Sequence, residues 1–496
     1  MSMPVIIEDI RPLVAMVAPF FGLIGILIAG EKRANLRELI TFFTASVQAA
    51  VVLSMVPVVL SGAHLEYHIW QIFSHVPMIL RVDGPGLLFA CVASILWIAT
   101  TCYSIGYMRG LHEHAQTRFY SFFALSLSAT VGVAFSANLL TIYFFYEMLS
   151  ISTFPLVTHM QDKDARTGGR TYLGYLLFTS LCLLLPALSW CYVWLDGGQM
   201  TMDFMTDTGK IGQFSETTQI VLLFLFTYGF AKAGLMPLHS WLPGAMVAPT
   251  PVSALLHAVA VVKVGVFCVY RVYADVFGVD VLLKMSGEEW AMVIASATIL
   301  ISSLIALSQD NLKRRLAFST IGQLGYIVLG AAIATDRGQG GAVLHIAMHA
   351  CGKITLFFCA GAIFVASGKK YVSQLRGIGR RMPITMGAFM IGSLSVIGLP
   401  PLGGFISKWY LALGALDRDA TWVVVVLLIS SLLNVFYLLP VAVTAFFRTD
   451  DSGDGKEDSI KEAPWPCVVP LAFTALGCFA LFFWSDSLLQ LAGVNP

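Results

Sequence analysis

The chain has 496 residues, of which 57% are hydrophobic and only 12% charged, and its formal net charge is +1. A charged fraction about half that of a soluble domain excludes an ordinary water-soluble fold and requires long continuous apolar runs. Near-neutrality gives no electrostatic footprint for a nucleic-acid partner, and nine cysteines without a Cys-x-x-Cys pair signal neither a zinc nor an iron–sulfur site.

The N-terminus lacks the basic region and small-residue cleavage site of a signal peptide, since Glu8 and Asp9 precede the first apolar run. A bilayer-crossing helix needs about 20 predominantly apolar residues. Segments of that kind lie at about 12–30, 39–60, 85–107, 119–136, 138–160, 171–195, 219–243, 250–273, 290–308, 315–335, 341–367, 384–416, 420–447 and 464–493. They predict an all-α polytopic membrane protein with about fourteen transmembrane helices. The one longer hydrophilic stretch is 448–463.

Basic residues between segments predict the orientation. Nineteen follow odd-numbered segments, among them Lys32, Arg109, Lys163, Lys313 and Arg380, and seven, including Arg81 and Arg271, fall on the other side. Both termini are therefore expected outside the cytoplasm, across a bacterial inner membrane. The remaining four of 30 basic residues, Lys232, Lys263, Lys353 and Lys408, lie inside apolar segments. Glu147 is the acid placed deep in a segment, with Asp486 near an end. Each such charge costs at least ~2.5–3.5 kcal/mol at mid-bilayer, which makes a functional role the default reading.

In chain order, Glu147 comes first, inside "NLLTIYFFYEMLSISTF". A carboxylate balanced between desolvation and a nearby ammonium can bind and release a proton; the bland alternative is a static Glu–Lys pair joining helices. One carboxylate against four lysines leaves three cations in excess, which favours a relay. The seventh segment, "FAKAGLMPLHSWLPGA", places Pro237 five residues after Lys232 and adds His239 as a possible accessory group. Proline removes a backbone donor, so the helix is expected to open there. Segment eight carries His257 and Lys263, six residues apart and so on different faces.

Segment eleven, "AVLHIAMHACGKITLFF", spaces His345, His349 and Lys353 at i, i+4 and i+8 along one face. Two imidazoles leading to an amine resemble a proton wire. His-x-x-x-His is also a metal-ligand spacing, but no third ligand is evident, and no metal site is expected. In segment twelve, "VIGLPPLGGFISKW" sets Pro400, Pro401, Gly403 and Gly404 just before Lys408, predicting a second broken helix. Interrupted helices in corresponding halves point to an ion path. Segments four to eight hold Glu147, Lys232 and Lys263, and segments nine to thirteen hold Lys353 and Lys408. Five segments per unit is odd, so two such units would be inverted repeats. The expected divisions are 1–118 (spans 1–3), 119–273 (first repeat), 290–447 (second repeat) and 464–496 (span 14).

These segments resemble the antiporter-like membrane subunits shared by Mrp-type cation/proton antiporters, respiratory complex I and membrane-bound hydrogenases. The most specific stretches are "HSWLPGAMVAPTPVSALLHAVAVVKVGVF" and "GLPPLGGFISKW". The resemblance implies that Glu147 is the fifth-helix glutamate, Lys232 the lysine of the broken seventh helix, and Lys263 the eighth-helix lysine. It places His345, His349 and Lys353 on the central relay helix and Lys408 on the broken twelfth. Lys408 argues against the complex I subunit type that carries glutamate there. Gly244, Ala245 and Met246 stand where many relatives have Asp-Ala-His. Length and "HACGKITLFFCAGAIF" are most similar to the D subunit of Mrp-type antiporters. The implied function is proton/cation translocation within a multi-subunit antiporter, with other membrane subunits as partners and protons and possibly sodium as cargo. The alternative is the proton-pumping arm of an NADH:quinone oxidoreductase or hydrogenase. No cofactor is expected in this chain, so redox chemistry would belong to partners.

Overall fold

The computed structural model describes residues 4–73, 76–195, 200–285, 289–448 and 461–493, apart from the side chains of Phe73, Leu256 and His257. We number the long elements in chain order. They are α1 (Arg11–Ala29), α2 (Ala34–Ser54), α3 (Gly84–Gly110), α4 (Gln116–Ala134), α5 (Leu139–Val157) and α6 (Lys163–Trp194). Then come α7 (Glu216–Gly229), α8 (Thr250–Phe277), α9 (Glu289–Ser308), α10 (Leu312–Ile333) and α11 (Asp336–Ser367). The last are α12a (Pro383–Ile397), α12b (Gly403–Asp417), α13 (Thr421–Phe447) and α14 (Trp465–Phe483). In hydrocarbon every backbone polar group must be satisfied within the segment, which is why apolar runs of this length fold as helices.

Among the described residues, eleven helices are long and apolar enough to cross a membrane. The three other expected segments correspond to α4, which is more polar, and to α7 and α12, which are interrupted. Short polar side chains start many helices: Asp83, Asn138, Asp162 and Asn311 each accept from a backbone N–H in the first turn of α3, α5, α6 and α10, at 2.9, 2.8, 2.7 and 3.1 Å.

The packing is graded. The most apolar stretches of α8 and α10 are enclosed on all sides, and that of α11 is mostly enclosed, whereas α1, α13 and α14 bury only about a third of theirs. So α8, α10 and α11 form the centre of the bundle, and the exposed apolar residues of the outer helices form a lipid-facing belt.

A small sheet was not anticipated. β1 (Val5–Glu8) runs parallel to β2 (Ala63–Phe73), which pairs antiparallel with β3 (Val76–Val82), Leu65 opposite Val82. It carries Arg81, bonded to Glu66 at 2.7 Å and to Asp203 at 2.7 and 2.8 Å. Beside it, Arg271 pairs with Asp83 at 2.5 Å and Asp275 at 2.8 Å. Burial raises the nearby Asp207 carboxyl, but bonds from Lys210, Thr201 and the Asp203 N–H outweigh it and hold the group below its ordinary value.

These contacts correct the reading of Arg271 as a loop charge; Arg81 does lie between helices, in β3, but paired rather than solvated. Both are buried, and Arg271 lies inside α8, which continues past the apolar run to Phe277 because two carboxylates neutralise it. Arg37 and Glu38, on α2, are likewise buried and paired. Buried charge therefore extends beyond the four lysines, whereas Glu147, expected deep in its segment, is only partly buried.

Candidate functional site

The second helix break explains the position of Lys408. Helix α12a ends at Gly398, whose φ of +91° suits glycine, and a Cβ there would lie 2.9 Å from the Lys408 side chain. The chain turns through Pro400 and Pro401 and re-enters helix at Gly403 and Gly404. Lys408 Nζ then reaches back to the carbonyls of Val396 (3.0 Å) and Ile397 (2.8 Å), groups the break has freed, and to Ser431 Oγ (3.2 Å). It also lies 4.9 Å from the ring centre of Tyr326 on α10.

In the first break the helix stops earlier than expected. Helix α7 ends at Gly229, eight residues before Pro237, and Lys232 sits within a 3₁₀ turn, Ala231–Ala233, followed by Gly234 at φ +69°. Lys232 thus lies in the interruption itself. Gly265 on α8 permits this, since a Cβ there would collide with the Lys232 backbone. Fully buried Lys232 Nζ donates to Tyr146 O (2.8 Å) and Ser150 Oγ (2.6 Å), and sits 3.1 Å from the Tyr146 ring centre. Pro237 lies beyond, where half-buried His239 contacts the Pro237 carbonyl (3.2 Å) at the rim. The side chain of His257 lies outside the described residues.

At the centre, Lys263 Nζ of α8 and His349 Nδ1 of α11 are 2.5 Å apart, both buried. The His349 ring stacks on that of His345, centres 5.6 Å apart and 16° from parallel. His345 Nδ1 lies 2.8 Å from Ser407 Oγ, the neighbour of Lys408, and Nε2 lies 3.2 Å from Gln323 Oε1. The Tyr326 ring bridges the same gap, 5.4 Å from His345. The shared helical face expected for His345, His349 and Lys353 is thereby an occupied polar seam. Lys353 leaves it sideways, donating to Ser319 Oγ (2.5 Å), which contacts Tyr437 Oη (2.7 Å), itself bonded to Asn434.

Glu147 stands apart. Its Oε1 is buried with no hydrogen-bond partner, and no ion pair reaches it among the described residues. Its helix neighbour Tyr146 faces Lys232, while Glu147 borders an apolar groove between α4 and α5 lined by Phe122, Leu125, Tyr143 and Ile151.

The sequence reading missed Tyr146, Ser150, Ser319, Gln323, Tyr326 and Ser407. A signal existed. Ser319, Gln323 and Tyr326 recur at four- and three-residue spacing in an otherwise apolar segment, which puts a polar stripe on one face of α10. Hydrogen bonds join Lys263 to His349 and His345 to Ser407, a ring stack joins the two histidines, and His349 Nε2 is left without a partner among the described residues. Amines, imidazoles and hydroxyls can each accept and donate a proton, so the seam from Lys263 to Lys408 has the parts of a proton path though not a continuous hydrogen-bonded chain.

The family model described as "NADH:quinone oxidoreductase/Mrp antiporter, TM" matches residues 136–434. The chain is 32% identical over 411 residues to an NADH-quinone oxidoreductase subunit N of Desulforudis audaxviator, covering 79% of each. It is 31% identical over 410 residues to the A/B subunit of a probable K⁺/H⁺ antiporter of Rhizobium meliloti, covering 80% of this chain but 39% of that protein. Its fold is similar to a chain of the Mrp complex from Dietzia sp. DQ12-45-1b, with a TM-score of 0.85, 21% identity and coverage of 98% and 96%. A chain of a membrane-bound sulfane sulfur reductase, an archaeal respiratory membrane complex, is similar at TM-score 0.84, 21% identity and the same coverage.

Proposed function

This chain belongs to the NADH:quinone oxidoreductase/Mrp antiporter membrane-subunit family, and from that premise we propose that it exchanges protons for a monovalent cation within an Mrp-type antiporter. It is a multi-pass membrane subunit of the cation- and proton-translocating class, working with other membrane subunits. The observation that carries the proposal is the buried seam Lys263–His349–His345–Ser407–Lys408, in which neighbouring groups can each hold or hand on a proton. Lys232 and Lys408, at the two breaks, are the gates of this path, and Glu147 is the carboxylate that loads the first. We read residues 119–273 and 290–447 as inverted repeats. In that reading α4, α7 and α12 also cross the bilayer, both termini face away from the cytoplasm, and the membrane is a bacterial inner membrane. The D-subunit type of Mrp antiporter is the most similar in motif and length.

Everted vesicles carrying the full complex test this. Addition of Na⁺ or K⁺ to an imposed pH gradient should collapse it in the presence of the chain and not in its absence. A gradient insensitive to either cation but built up by NADH oxidation would support the second reading, a proton-pumping arm of a redox complex. That reading is favoured by the 79% two-way coverage against the oxidoreductase relative. In it, redox groups sit on partner subunits, and the composition of the native complex decides between the two.

A further inference from the structure

Away from the lysine seam, three side chains converge where two helix ends meet. Glu113 and His114 lie in the turn joining α3 to α4, and His159 follows the last residues of α5. One ligand atom from each falls within 4.8 Å of the other two. His159 is completely buried, yet neither ring nitrogen makes a hydrogen bond of good geometry among the described residues, the His114 backbone offering it a weak contact at most. A buried polar atom without a partner is costly, and two on one ring call for an explanation. The ring is well placed: Phe119 meets it edge-on with centres 5.9 Å apart, and the His114 ring lies 5.0 Å away at 31°. Arg118 donates to the His159 carbonyl at 2.9 Å, and Gln116 Nε2 to the Glu113 carbonyl at 3.0 Å, so both backbones are anchored.

We propose that Glu113, His114 and His159 form a binding site for a divalent transition metal of the zinc class. Two imidazoles and one carboxylate match the borderline preference of such ions, whereas Mg²⁺ and Ca²⁺ favour oxygen ligands throughout. Zinc bonds of about 2.0–2.2 Å require ligand atoms to lie closer together than 4.8 Å, so binding would draw the three side chains inward, the half-exposed His114 having the most room to move. Three protein ligands leave one position for water. The tilted ring contact with His114 does not by itself satisfy the two nitrogens of a fully enclosed imidazole.

The location gives the metal a consequence. His159 lies twelve residues beyond Glu147 along α5 and its C-terminal turn, about 18 Å at helical rise. Bound metal ties that end of α5 to the α3–α4 turn and restrains the helix that carries the lone carboxylate. We expect transport to slow when the metal is present. This second part rests on the translocation role proposed above; the binding itself does not.

The binding test uses the full-length chain without a histidine tag, titrated with Zn²⁺ and, for its visible absorption, Co²⁺. Wild type should bind one ion tightly, with Co²⁺ bands of low-symmetry four-coordination. His114→Ala, at an exposed position, and Glu113→Gln should each weaken binding about tenfold or more. His112→Ala, in the same turn, should not. His159→Phe keeps an aromatic ring in place and removes both nitrogens; if it fails to fold, the other two variants still decide. Equal affinity in wild type and His114→Ala, or loss of binding in His112→Ala instead, overturns the site. In vesicles with Zn²⁺ on both sides, wild-type transport should fall and His114→Ala should be resistant. Equal inhibition of both overturns the restraint while leaving the binding result to stand by itself.

Discussion

Lys232 and Lys408 each present an ammonium to a tyrosine ring on a neighbouring helix, 3.1 Å from Tyr146 in the first half and 4.9 Å from Tyr326 in the second. Each also donates to a serine hydroxyl and to backbone carbonyl oxygen, but the helices that supply these differ. Lys232 lies inside its break and is gripped by α5 through Tyr146 O and Ser150. Lys408 lies past its break and is held mainly by carbonyls of its own interrupted helix. After Tyr146 comes Glu147, an acid; after Tyr326 comes Ile327. The same lysine-on-tyrosine device thus appears once with a carboxylate behind it and once with a histidine pair in front of it. A carboxylate can draw a proton toward the first lysine, and imidazoles can deliver one to the second, so the halves are suited to different steps of one path.

The carboxylate is the group whose loss should cost the most. Glu147→Gln keeps the shape and should insert normally, yet coupled transport should fall by about 100-fold or more, the scale of losing a proton-transfer group. Pumping by the assembled complex in proteoliposomes at wild-type rate would remove Glu147 from the mechanism. Nearly as large an effect is expected at the other end. Arginine keeps charge but effectively never deprotonates in a protein, so Lys408→Arg should assemble and lose transport as severely as Lys408→Ala. A purely structural lysine predicts the opposite, an active arginine variant. At Lys232, arginine should in addition lower abundance, because the backbone of α8 closes over the site at Gly265, and overpacking costs about 1–3 kcal/mol. Proton flux and membrane abundance, measured together for the four variants, separate these effects.

Much of this site was legible before the structure, and the reason is the bilayer. An ionisable residue in an apolar run is expensive wherever it faces, so Glu147, Lys232, Lys263, Lys353 and Lys408 stood out from composition alone. The spacing of His345, His349 and Lys353 gave their shared face for the same reason that any helix does. What failed was the location of neutral partners and of charges at run ends. Tyr146 and Tyr326 are ordinary residues in apolar helices until a lysine from another helix arrives over the ring. Arg271 read as a loop residue because the apolar run ends there, while Asp83, distant in sequence, lets the helix continue. The sheet was overlooked because "AHLEYHIWQIF" is short and flanked by much stronger helical signals.

A more moderate effect tests the histidine pair that distinguishes the second half. His345→Ala with His349→Ala removes the stacked rings between Lys263 and Ser407 but leaves both broken helices in place. The double variant should assemble and slow transport by about tenfold, with a changed pH dependence, since imidazole is the group that titrates near neutrality. Unchanged turnover and pH profile would show that the path avoids α11.

The smallest expected effect bears on the tyrosines, the feature the two halves share. The Tyr326 hydroxyl bonds Ser430 Oγ at 2.7 Å, while its ring faces Lys408. Tyr326→Phe keeps the ring and loses one hydrogen bond, a net change of about 0.5–1.5 kcal/mol. Tyr326→Leu removes the π face as well, and a desolvated ammonium–ring contact contributes about 2 kcal/mol. Thermal unfolding of the purified chain should therefore rank wild type, then Phe, then Leu, with transport nearly unchanged in the phenylalanine variant. The same series at Tyr146 should show a steeper drop, for two reasons. The Lys232 ammonium lies closer to that ring, and the Tyr146 hydroxyl also accepts from the Lys232 backbone N–H at 3.2 Å. Equal steps at the two positions would mean that the ring is mere packing at both, and that the resemblance between the halves lies in the helix breaks alone.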